Sequence, residues 1–139
     1  MKKLIVSLLL TLPQVVAVAQ IGYTLNEVIE LFGRDYEVGY NNDSIFYLFY
    51  NQVEAYKDNS QKYDLIAYFT SDKTDALCFA KTVIMPISEI NHVISTYNKK
   101  YVKLSDLKWQ DYESNIIYYV KAIHKDEVFT VTSILTLEE

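Results

Sequence analysis

Two histidines, His92 and His124, and a single cysteine, Cys78, are the side chains best suited to nucleophilic or proton-transfer chemistry in this chain. Such chemistry needs a base within hydrogen-bond reach of a nucleophile, and metal capture needs ligands at set spacings. Neither histidine belongs to a His-Glu-x-x-His pattern. His92 sits beside Val93 in an amphipathic segment, and His124 lies at the lip of a turn. Cys78, between Leu77 and Phe79, reads as a small buried hydrophobe. Glycines stand only at positions 22, 33 and 39, which leaves no Gly-rich phosphate loop. The acidic residues Glu27, Glu30, Asp35, Glu37 and Asp43 lack the Asp-x-Asp-x-Asp-Gly spacing of a calcium loop and read as a solvated, helix-capping set. Lys99, Lys100 and Lys103 complement the C-terminal end of a helix dipole. No catalytic residue, metal ligand or cofactor is therefore assigned.

The elements that would position these groups follow from patterning. Thr24-Leu25-Asn26-Glu27 is a capping box, Leu25, Val28, Ile29 and Phe32 recur at helical spacing, and Gly33 can take a positive φ. The spacing predicts a helix over 25–32. A second helix is predicted after Ser88 as N-cap, with Ile90, Val93, Ile94 and Tyr97 each 65 residues after its counterpart and Asn98 where Gly33 stood. Tyr36 finds Tyr101 at the same offset. Strands are predicted near 45–50, 64–70, 76–85, 107–112, 115–124 and 128–136, with turns at 71–75 and 125–127. The order helix, three strands, helix, three strands suggests a tandem duplication with halves 20–86 and 87–139. The fold class is α+β, two short helices on one face of an antiparallel sheet.

Residues 1–19 are set apart. Met1-Lys2-Lys3, the apolar run Leu4 to Leu12, and Ala17-Val18-Ala19 match a secretory signal peptide, too short to span a bilayer and interrupted by Pro13. Cleavage after Ala19 leaves Gln20 to Glu139, 120 residues with 11 basic and 18 acidic side chains, a net charge of −7. That balance disfavours nucleic acid and anionic lipid. With no cysteine at the junction there is no lipid anchor, and with Cys78 alone there is no internal disulfide. The expectation is a soluble bacterial protein, exported to the periplasm or beyond, as a single α+β domain over 20–139.

Gly22-Tyr23-Thr24, Val28 and Leu31-Phe32-Gly33 resemble the opening of small outer-membrane assembly lipoprotein domains. The doubled helix-plus-sheet order is similar to the tandem repeat of β-lactamase inhibitory protein. Arg34-Asp35 replaces the expected Pro, no lipid-bearing Cys is present, and no second helix is evident in each half. The resemblance implies a protein-binding role in the cell envelope.

Alternation places Ile116, Tyr118, Val120 and Ala122 on one side of their strand and Ile117, Tyr119, Lys121 and Ile123 on the other. On the 76–84 strand it groups Cys78 with Ala80 and Thr82, and Phe79 with Lys81 and Val83. Two helices cover one sheet face, so the other, marked by lysines, is expected to be open and to bind a protein or glycan. The residues assigned to it are Tyr68, Phe79, Lys81, Trp109, Tyr119 and Lys121. Rings supply contact area and lysines orient an acidic or hydroxylated partner. The alternatives are coverage by the 51–63 segment, a homodimer or structural homo-oligomer closed on this face, and a small secreted hydrolase using His92 or His124.

Overall fold

The Thr24 hydroxyl accepts from the Glu27 amide at 3.1 Å while the Glu27 carboxylate accepts from the Thr24 amide at 2.9 Å, closing the capping box. In the computed structural model, which describes residues 21–54 and 62–136, that box opens helix α1 (Leu25–Phe32). Gly33 ends it at φ 95°, a conformation that a side chain would strain, and donates its N–H to the Ile29 carbonyl. The segment 1–20 and residues 55–61, on which the signal-peptide and part of the covering-loop expectations fall, lie outside the described residues.

Four strands follow: β1 (Glu37–Tyr40), β2 (Phe46–Glu54), β3 (Lys62–Phe69) and β4 (Cys78–Pro86). A 3₁₀ turn at Ile87–Glu89 leads into α2 (Ile90–Lys100), then β5 (Val102–Ser105), β6 (Lys108–Asp111), β7 (Ile116–Ile123) and β8 (Val128–Leu135). Among the described residues each half is thus a helix and four strands, one more strand than the pattern predicts. The extra strands, β1 and β5, are four-residue edges with mostly exposed side chains, so they carry no buried alternation to read. They begin 65 residues apart, the same offset that relates the helices.

All eight strands form one antiparallel sheet in the order β1-β2-β3-β4-β8-β7-β6-β5. Each half is a meander, and the halves join where β4 pairs with β8. The described chain is α+β and dominated by this sheet. Among the described residues no helix is long and apolar enough to cross a membrane.

Both helices pack on the same face. Leu25, Val28, Ile29 and Phe32 of α1 meet Leu48, Tyr50, Leu65 and Phe69, whereas Ile90, Val93, Ile94 and Tyr97 of α2 meet Trp109, Tyr118, Val120, Phe129 and Val131. Register puts these on one side: Tyr50, Leu65, Val83, Val131 and Val120 are successive cross-strand partners. Ile21 and Met85 touch both clusters and bridge them. Each large side chain buried here contributes about 1.5–3 kcal/mol of transfer free energy.

Two details of α2 differ from expectation. Ser88 falls within the 3₁₀ turn, and the helix has no side-chain cap hydrogen bond at its start. Asn98 is no terminator, because the helix continues to Lys100 and its cap, Tyr101, is extended. Its amide oxygen instead accepts from Trp109 Nε1 at 2.9 Å. That bond satisfies an indole whose residue is 0 % exposed and ties α2 to β6.

Candidate functional site

Sequential pairing defines what lies on the sheet face away from the helices. One level runs Gly39, Tyr47, Tyr68, Ala80, Ile134, Ile117, Gln110 across the strands. The next runs Glu37, Phe49, Ile66, Thr82, Thr132, Tyr119, Lys108, and a third runs Asp64, Ile84, Thr130, Lys121. Apart from Ala80 these residues are half-buried or exposed. No described helix packs on them. The face is a continuous aromatic and aliphatic surface, with a polar centre where the Thr82 and Thr132 hydroxyls hydrogen-bond at 3.0 Å.

Its rings are held by neighbours across the sheet. Tyr47 and Tyr68 meet edge-on with centroids 6.2 Å apart. Gly39 lies under the Tyr47 ring: a Cβ there would stand 2.6 Å from the Tyr47 hydroxyl oxygen, so only glycine lets the ring lie over β1. At the opposite end Lys108 Nζ sits 5.2 Å from the Tyr119 ring centroid, a cation–π contact. Charge is divided along the face. Glu37 and Asp64 lie on β1 and β3, with the exposed Lys62 at the start of β3, whereas Lys108 and Lys121 lie on β6 and β7.

Of the six residues assigned from sequence, Tyr68, Tyr119 and Lys121 are on this face. Phe79 is the extra residue of a β-bulge, half-buried, between Cys78, which pairs with Phe69, and Ala80, which pairs with Tyr68. That insertion breaks strict alternation and turns Lys81 to the helix side, opposite Ala67 and Ser133. Lys81 is 1 % exposed and lies beneath the helices, the reverse of the wet position expected for it. Trp109 is likewise on the helix side, opposite Tyr118, and fully buried. Alternation in β6 alone could not assign it, because the strand is four residues long. Tyr47, Phe49, Ile66 and Lys108 were missed, although Tyr47 and Phe49 share a parity within the 45–50 strand that could have found them; Ile117, placed beside Tyr119 by alternation, is on this face too.

The covered face holds the shifted titrations. Burial pulls the Lys81 ammonium down to about 7, opposed by the nearby Cys78. The Cys78 thiol, 0 % exposed and 3.4 Å from the Ala80 carbonyl, is pushed up to about 11 by burial. Burial also raises Tyr50 and Tyr63 to about 12, and Tyr97 and Tyr118 further. Tyr118 stacks on Tyr101 at 4.7 Å and 13°. His92 and His124 are both exposed whereas Cys78 is buried, so the nucleophile and the candidate bases do not share a site. Among the described residues no three His, Cys, Asp or Glu side chains gather as a metal set.

No family model, curated protein or solved structure matches this chain.

Proposed function

We propose that this chain is an exported interaction module of the bacterial cell envelope that docks a protein on the open face of its sheet. One observation carries the reading. Both helices cover one face, and the other presents Tyr47, Phe49, Ile66, Tyr68, Ile117 and Tyr119 without a described helix over them. A contiguous apolar surface left uncovered on a folded domain marks an interaction site, and tyrosines suit one because the ring buries while the hydroxyl stays satisfied. Export rests on the Met1 to Ala19 pattern. The twofold helix-plus-four-strand order, with its 65-residue offset, supports an internal duplication and the resemblance to the tandem units of β-lactamase inhibitory protein.

The test is capture from envelope extract with chemical cross-linking, comparing the native sequence with Tyr68→Asp/Tyr119→Asp. Tyr119 is exposed and Tyr68 half-buried on the open face, and circular dichroism verifies that the variant folds. Loss of the cross-linked protein in the variant supports the reading. An identical set of cross-linked proteins from both chains overturns it.

A further inference from the structure

The division of charge on the open face names an occupant. We propose that a second copy of this chain docks there, face to face, about a two-fold axis parallel to the strands along the β4–β8 seam; this rests on the open face being an interaction surface. Rotation about that axis exchanges β1 with β5, β2 with β6, β3 with β7 and β4 with β8, while leaving each residue at its own level along the strands. On the third level Asp64 of β3 meets the partner's Lys121 of β7. On the first, Ala80 of β4 meets the partner's Ile134 of β8, small against large, and Tyr68 meets the partner's Ile117. On the second, Phe49 meets the partner's Lys108, which already lies over an aromatic ring, and Glu37 arrives one strand away from it.

The other two-fold arrangement, with its axis across the strands, sets each strand on its own copy. At the level of Thr82 that puts Lys108 against the partner's Lys108, and it turns Asp64 and Lys121 onto apolar rows. Like charges facing each other and unpaired charges on apolar surface disfavour it. Opposite charges at the ends of one face thus select a single self-complementary arrangement.

The face is large enough to support contact. At about 3.3 Å per residue and about 4.8 Å between strands, the eight strands span roughly 850 Å² in projection, an upper limit on a contact whose standard stable size is about 800 Å² per partner. Aligned sheet-on-sheet packing tolerates the twist between the two copies. The product is a β-sandwich closed at its centre with a helix layer on each outer side.

Sedimentation equilibrium on the full chain as purified, combined with charge exchange, tests the proposal. The native chain is expected as a dimer at about 10 μM. Lys121→Glu and Asp64→Lys each weaken it at least about tenfold, and the double exchange recovers most of the loss. Asp64 also accepts from the Gln52 amide at 3.0 Å, so thermal melting of each variant separates unfolding from dissociation. Zero-length carboxylate–amine coupling supplies an independent readout, joining Asp64 to the partner's Lys121. A monomer throughout, or a dimer whose coupled peptides map elsewhere and whose double exchange gives no recovery, overturns the proposal. A monomer that still loses its cross-linked protein on Tyr68→Asp/Tyr119→Asp leaves the functional reading standing, so the two failures are distinguishable.

Discussion

Lys81→Met should stabilise the fold, and the gain should shrink as pH rises. Lys81 lies 1 % exposed on the helix-covered face, with Ala67 and Ser133 as its cross-strand neighbours. Its folded pKa of about 7 lies below the ordinary 10.5. Protons favour the unfolded chain in that interval, so stability rises with pH from about 7 upward and the full penalty is present below about 7. At 1.36 kcal/mol per unit the gap corresponds to an upper bound of about 5 kcal/mol. The variant also gives up the interaction that Lys81 makes, and methionine fills nearly the same volume. A net gain of about 1–4 kcal/mol at pH 6 is therefore expected, the range seen when buried ionic groups are replaced by packed apolar ones. The difference between native and variant should narrow by about 2 kcal/mol between pH 7 and 8.5. Urea unfolding at several pH values, followed by the fluorescence of the single tryptophan, measures both quantities. A difference that does not change with pH, or a variant less stable than the native chain at pH 6, would refute the account of Lys81 as a desolvated amine.

Asn98→Ala leaves the Trp109 indole N–H buried without its acceptor and should cost about 1–3 kcal/mol, read as a lower urea midpoint. Cys78, buried and with its thiol at about 11, should resist a thiol reagent at pH 8 in the native state and react fully in denaturant; rapid native labelling would contradict its placement. Gly39→Ala should displace the Tyr47 ring and lower the melting temperature, and Tyr47→Ala should remove most of that effect in the double variant.

Helix α1 was legible because its signals are local: a capping box, one apolar stripe and a glycine stop within ten residues. The other six strands were legible from their runs of β-formers, and the turn before Val128 is a 3₁₀ segment followed by Glu127 at φ 55°. The edge strands β1 and β5 were not, since an exposed four-residue strand is defined by its partner and not by its own pattern. For the open face, parity within β7 placed Tyr119 and Lys121 correctly because that strand pairs without a bulge on both sides.

Parity failed on β4. One inserted residue at Phe79 separates Cys78 from the register of Ala80 and carries Lys81 from the expected open face to the buried one. A bulge is a property of two paired strands, so neither strand's sequence announces it. Trp109 is a similar case: its type suits an interface or a core equally, and only the approach of Asn98 from α2 supplied the acceptor that allows it to be buried. Composition, caps and periodicity therefore settled the α+β class, the helix faces and the presence of an aromatic sheet surface, all of which depend on neighbours close in the chain. Pairing of β4 with β8 decided the rest, by merging two meanders into one sheet and putting both helices on the same side. It also set acidic and basic groups at opposite ends of the face left open, a division that depends on contacts between residues far apart in sequence.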